Sequence, residues 1–231
     1  MNLINLSKSF NCTADYFLEK IKGINLERLE KYFSQLPADP YLSGNYRFRR
    51  LSHLKIVKNQ LIKLNSLPFY QSKDDNPLLG NVARIYPELD DRLITIPDFQ
   101  KITQLFFEFC QLCTNINEIG IHQIRITTSN QQIGAPAPEG IHRDGVDLVG
   151  IFCVKRKDIE GGITNLYKAK DEQPIFSRIL QPGEFLIFND HQFFHYTSAI
   201  TALNSGLRDV FVFTCPGSFA PDSSYSTVSR N

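Results

Sequence analysis

The stretch PEGIHRDGVDLVGIF, residues 138–152, sets His142 and Asp144 two positions apart at the mouth of an apolar, alternating run. On extended backbone, side chains two apart project from the same side. An imidazole and a carboxylate placed this way can converge on one ion. A third ligand has to come from elsewhere, and FNDHQFFHYTSAI supplies two candidates, His191 and His195. Two histidines and one carboxylate, with the remaining positions open, make the facial triad of non-haem iron sites, where the open positions admit a co-substrate and dioxygen. An HxD pair alone is a weak signal, since a surface turn can carry the same residues incidentally.

A fourth residue strengthens it. Arg208 follows His195 in GLRDVFVFTC, at the start of an apolar strand. There Arg208, Val210, Val212 and Thr214 share one face, while Asp209, Phe211 and Phe213 share the other. An unpaired guanidinium is costly to bury. It would serve well as a fork for a carboxylate. The competing reading is a salt bridge to Asp209 or Asp190.

The order HxD, distant His, then Arg on the next strand resembles the Fe(II)/2-oxoglutarate-dependent dioxygenases. HQIR, PEGIHRDGVD, Gly161–Gly162, PGEFLIFND, the His195 segment and GLRDVFVFT together resemble the bacterial isoleucine-dioxygenase group, which hydroxylates free amino acids. LPADPYLSGNYRFRR and PFYQS…NPLLGNVARIY add to the likeness, which spans roughly residues 33–216. The resemblance implies a double-stranded β-helix and Fe(II), 2-oxoglutarate and O2 as cofactors. It implies His142, Asp144 and His195 as iron ligands, with His195 preferred to His191 because its spacing to Arg208 fits the group. It makes Arg208 the partner of the distal carboxylate of 2-oxoglutarate. The implied reaction hydroxylates an unactivated C–H bond of a small polar metabolite, foremost a free L-amino acid, with release of succinate and CO2. The alternatives are a peptide-bound or carrier-tethered residue, a desaturation or cyclisation, and a metal- and 2-oxo-acid-binding module without turnover.

Several further residues are candidates within that frame. Arg125, in the alternating HQIRITT, could point inward to hold a substrate or co-substrate carboxylate, or lie in a structural ion pair. Glu139 and Arg143 flank the HxD and could rim a substrate pocket, with Glu139 holding an amino group or simply lying in water. Thr197 and Tyr167 offer hydroxyls near the co-substrate. His122 and His53 read as scaffold histidines. RFRR at 47–50 reads mainly as a solvated edge or scaffold bridge, with a share in covering the substrate pocket as the lesser reading.

The elements that would position these residues divide in two. The chain has 231 residues, enough for one sizeable core. It is read as a single dioxygenase domain: a mixed part at 1–118, a catalytic jelly-roll core at 119–216 and a polar tail at 217–231. TADYFLEKIKG predicts a helix capped by Thr13 and stopped at Gly23. Asn25 predicts a second helix carrying Leu26, Leu29, Phe33 and Leu36 to a stop at Pro37. A strand from Tyr46 pairs with QLIKL, residues 68–91 are loop-like, and a third helix runs from about Asp98 to Thr114. From Ile119 onward, short strands and turns predict a mainly β, α+β architecture with the N-terminal helices packed on one outer face.

Composition sets the remaining bounds. The net charge is +1, so nothing points to a nucleic-acid partner. No run approaches the ~18 apolar residues of a membrane span. Five cysteines, at 12, 110, 113, 153 and 215, show no framework spacing, which makes a reducing cytoplasm the default compartment. Cys110 and Cys113 read as two packed helix thiols. The partner is a small-molecule substrate, and the oligomeric state is not readable.

Overall fold

The computed structural model describes residues 16–58, 60–114 and 116–217. The expected Thr13 cap and nearly all of the polar tail lie outside the described residues. In chain order the elements are β1 (Tyr16–Lys20), α1 (Leu26–Glu30) continued by a 3₁₀ turn at Lys31–Phe33, β2 (Arg47–Val57), β3 (Gln60–Lys63), α2 (Asp91–Ile94) and α3 (Pro97–Cys113). The strands that follow are β4 (Glu118–Ser129), β5 (Leu148–Lys157), β6 (Glu160–Gly161), β7 (Ile163–Tyr167), β8 (Phe176–Ile179), β9 (Glu184–Asn189), β10 (Phe194–Thr197), β11 (Ile200–Thr201) and β12 (Ser205–Cys215). The fold is mostly β, and every strand pairing is antiparallel among the described residues.

A seven-stranded sheet in the order β1-β9-β5-β12-β4-β2-β3 forms the main wall, faced by a three-stranded sheet β10-β7-β8, with β11-β6 as a short third sheet. Alternation along β12 feeds two cores. On one face, Phe211 packs edge-on against Phe33 and Phe99, and Phe213 meets Phe106 of α3. Gly150 lets α3 approach closely, because a Cβ there would lie 2.8 Å from the Phe106 ring. On the other face, Val210, Ile151, Leu186 and Phe188 pack with Leu166, Phe176 and Leu180 from the region of the smaller sheet.

The N-terminal part differs from its expectation. Residues 16–20 are a strand, not a helix: Phe17 lies opposite Ile187 and Leu18 opposite Leu186. The short apolar run Tyr16-Phe17-Leu18 suits either period, and the open ladder of β9 decides it. The second helix starts as expected, its Asn25 side chain accepting from the Arg28 N–H at 3.3 Å, but α1 and its 3₁₀ turn end at Phe33, short of Pro37. The third helix has Pro97 at its first turn, a favoured site for proline. Cys110 is a buried free thiol, whereas Cys113, half-buried at the last position of α3, is disulfide-bonded, so the CxxC is not a pair of thiols. No helix among the described residues is long and apolar enough to cross a membrane.

Candidate metal and co-substrate site

His142 and Asp144 do not lie on a strand. They sit in the turn before β5, which begins only at Leu148. Two other devices bring them together. His142 forms an isolated bridge with His195 of β10, its N–H donating to the His195 carbonyl at 3.1 Å and the reverse bond measuring 2.8 Å. Asp190, 1% exposed, gathers the turn after it: Oδ2 accepts from the backbone N–H groups of Asp144, Gly145 and Val146 at 2.9, 2.8 and 3.2 Å. Three successive donors aimed at one oxygen need an unusual turn, which Gly145 provides with φ of +74°.

One ligand atom from each of His142, Asp144 and His195 lies within 4.8 Å of the others, a spacing that could hold a metal ion. Asp144 is 3.7 Å from His142 Nε2 through Oδ1 and 3.6 Å from His195 Nε2 through Oδ2. The opposite ring nitrogens are accounted for. His142 Nδ1 donates to the Gly140 carbonyl at 2.8 Å, so that in the neutral ring Nε2 carries the lone pair a metal would take, on the side of Asp144 and Glu139. His195 Nδ1 faces Asp190 Oδ1 at 3.6 Å, and both atoms are buried without another partner. Burial opposes charge on His195, but Asp190 and then Asp144 outweigh it and raise its pKa. His191, the alternative ligand, is turned outward onto Asp147 at 2.9 Å.

The same cavity is lined by Arg208, Val210 and Val212 of β12, Ile124 and Ile126 of β4, and Thr197 of β10. Arg208 is buried, and its Nε and Nη2 have no hydrogen-bond partner. Burial pulls its pKa below the ordinary value, as it must for a cation without a counter-charge. Neither suggested acid closes it: Asp209 faces the other side of the sheet, and Asp190 is engaged with the turn. An unmatched buried fork beside two imidazoles and a carboxylate fits Fe(II) and an anionic chelator such as 2-oxoglutarate.

The remaining candidates separate by face. Thr197 lines the cavity, its hydroxyl 3.1 Å from that of Thr164. Glu139 also lines it, with Oε1 3.2 Å from His142 Nε2. Arg125 does not. It forks onto Asp209 at 2.7 and 2.8 Å on the opposite face of the sheet, because β4 and β12 pair Arg125 with Asp209 and Ile126 with Arg208. Tyr167 pairs with Phe194 while Leu166 pairs with His195, so Tyr167 is on the wrong face of the small sheet for the co-substrate. Arg143 stacks over the Phe194 ring at 4.0 Å, outside the cavity lining.

Arg47 and Arg49 are not a solvated edge: both are buried against Ile126 and Ile124 and line the cavity, in keeping with the lesser expectation for RFRR, and Arg47 also makes a scaffold bridge to Asp39. His122, read as scaffold, lines it as well, and Gln71, Asn76 and Arg84 reach it from the loop-like segment. The β2 alternation would have placed Arg47 and Arg49 on one face, whereas coil carries no period that could have placed Arg84.

The family model for 2OG-Fe dioxygenase matches residues 30–214. The chain belongs to the 2OG-Fe dioxygenase family. Members of this family are oxidoreductases that use Fe(II), 2-oxoglutarate and dioxygen. The chain is similar to the 3(1)-hydroxy-L-isoleucine 4-dioxygenase of Pantoea ananatis (strain AJ13355), at 26% identity over 82% of this chain and 80% of the relative. It is also similar to the L-isoleucine-4-hydroxylase of Bacillus thuringiensis, at 26% identity over 90% of each. Among solved structures, a bsmA homolog from Methylobium petroleophilum PM1 superposes with a TM-score of 0.76 at 24% identity, covering 93% of this chain and 92% of that one. IDO from Bacillus thuringiensis gives a TM-score of 0.74 at 19% identity, covering 93% and 95%.

Proposed function

We propose that this dioxygenase hydroxylates an unactivated C–H bond of a small polar metabolite, a free L-amino acid, and that His142, Asp144 and His195 hold its iron. The observation that carries this reading is the meeting of those three side chains with an unpaired, buried Arg208 in one cavity. The named relatives act on isoleucine or a hydroxy-isoleucine, which supports an amino acid as substrate. When bound, iron and 2-oxoglutarate supply the oxidising chemistry, in which decarboxylation to succinate and CO2 accompanies transfer of one oxygen atom to the substrate.

The chain's residues supply placement. Arg208 would hold the far carboxylate of the co-substrate, and Thr197 lines the same cavity from the smaller sheet. Asp190 holds the Nδ1 side of His195 and the Gly140 carbonyl that of His142, so that the two Nε2 atoms would be the ones to bind iron. Ile124, Ile126, Ile151, Val210 and Val212 keep the wall apolar and exclude water from the reacting carbon. Glu139, which lines the cavity, is the carboxylate we assign to a substrate ammonium.

The test is incubation of the purified protein with Fe(II), 2-oxoglutarate and a panel of free amino acids. One member should stimulate succinate formation and give a product heavier by one oxygen atom. A broad panel in which none does so removes the amino-acid reading.

A further inference from the structure

The wall of the cavity formed by β2 and the loop-like segment carries positive charge that the iron and co-substrate roles leave unused. Arg49 and Arg84 both line the cavity, and both are buried, Arg84 to 1% exposure. Neither has an acidic partner among the described residues, and the Nε of each is buried without a hydrogen bond. Their hydrogen-bond partners are neutral. Arg49 donates to the Tyr86 hydroxyl at 3.4 Å and to Nδ1 of His122, while Arg84 donates to Gln71 Oε1 at 2.8 Å. Both guanidiniums lie over the Phe69 ring, at 5.1 and 4.3 Å from its centroid. His122 is neutral and so supplies no counter-charge, since burial and the adjacent arginines hold its pKa well below the imidazole range. Arg47 differs, because Asp39 closes its charge at 2.8 Å. Aromatic faces repay only part of the cost of burying a cation without a counter-ion.

We propose that Arg49 and Arg84 form an anion subsite that receives a free carboxylate of the substrate. The substrate is then a free acid, not an amide, a peptide-internal residue or a carrier thioester. This rests on the oxygenase reading above. Arg208 remains with the co-substrate, and Glu139 is the lining carboxylate left for an ammonium group. Gln71 ties the subsite to the metal trio. Its Oε1 accepts from Arg84 and from Asn76 Nδ2 (3.0 Å), which fixes the amide so that Nε2 donates to Asp144 Oδ1 at 3.0 Å. An acid drawn onto Arg84 therefore acts on the short chain that orients Asp144.

The test uses protein loaded with Fe(II) and 2-oxoglutarate under nitrogen, and calorimetry with free L-amino acids, each beside its C-terminal amide. The acids that bind should do so about tenfold or more tightly than their amides, the size expected for a charged hydrogen-bonded contact. Arg49→Gln and Arg84→Gln should each erase that preference, and Arg49→Gln, which makes no contact with the Gln71 chain, should leave 2-oxoglutarate affinity unchanged. Amides that bind as tightly as their acids overturn the subsite, and that comparison needs no variant to fold. Variants that keep the preference overturn it too. Should no acid or amide bind, the amino-acid reading falls, and acetate judges the subsite. It must then raise the melting temperature of the wild type more than that of Arg49→Gln, and equal shifts overturn the subsite.

Discussion

Arg125 and Arg208 occupy adjacent register positions across β4 and β12, yet one is closed and the other open. On the helix-facing side of the sheet, Arg125 forks onto Asp209, which is fully buried. On the cavity side, Arg208 presents Nε and Nη2 to nothing. The two arginines are equally polar and lie in similarly apolar strands. A buried charge matched within the protein serves structure; one left unmatched in a cavity is reserved for a ligand. Arg47 and Arg49 repeat the contrast on β2, the first matched by Asp39, the second matched by no acid.

Substitutions on the two sides should break this contrast differently. The largest effect falls on the closed side. Asp209→Ala strands Arg125 and should cost on the order of 3 kcal/mol in urea unfolding; a loss below about 1 kcal/mol would mean that the pair is not structural. On the open side, Arg208→Met should leave stability unchanged or slightly raised, because it removes a buried charge that has no partner. Its affinity for 2-oxoglutarate should fall by about tenfold or more, read by calorimetry. A variant destabilised like Asp209→Ala with normal co-substrate affinity would erase the distinction.

Asp190 sharpens the comparison, since one oxygen serves the fold and the other faces a candidate ligand. Asp190→Asn keeps an oxygen for the three backbone donors but turns an amide N–H toward His195 Nδ1. It should fold normally and lose ~10-fold in Fe(II) affinity; unchanged affinity would confine Asp190 to shaping the turn.

The smallest effect is a pH slope. The folded pKa of His122 is held below its unfolded value, so below about pH 6.5 the unfolded chain takes up a proton that the folded chain refuses. Stability should therefore fall as pH drops through that range. His122→Gln should lose that part of the slope, and identical profiles for the two proteins would show that His122 is not held neutral.

The cavity face of β12 was legible from alternation around Arg208, and the HxD pair pointed to residues that do meet His195, but through a turn gathered by Asp190 and a bridge to His195, not through the strand spacing expected. The same alternation left Arg125 undecided, since period 2 identifies shared faces but not which face meets the cavity. Residues 16–20 were misread because five residues with three apolar side chains fit a helix stripe or a strand equally well, and the partner strand β9 lies more than 160 residues away. Tyr167 failed for a related reason: its face follows from its pairing with Phe194, a long-range register. Gln71, Asn76 and Arg84 were out of reach because hydrogen bonds within coil, not periodicity, hold them in place.

The most direct measurement is titration of Fe(II) into the protein under nitrogen. One ion per chain should bind to the wild type and to His191→Ala, and binding should be lost or greatly weakened in His142→Ala, Asp144→Ala and His195→Ala. Wild-type iron affinity in folded His142→Ala or His195→Ala would contradict this site assignment.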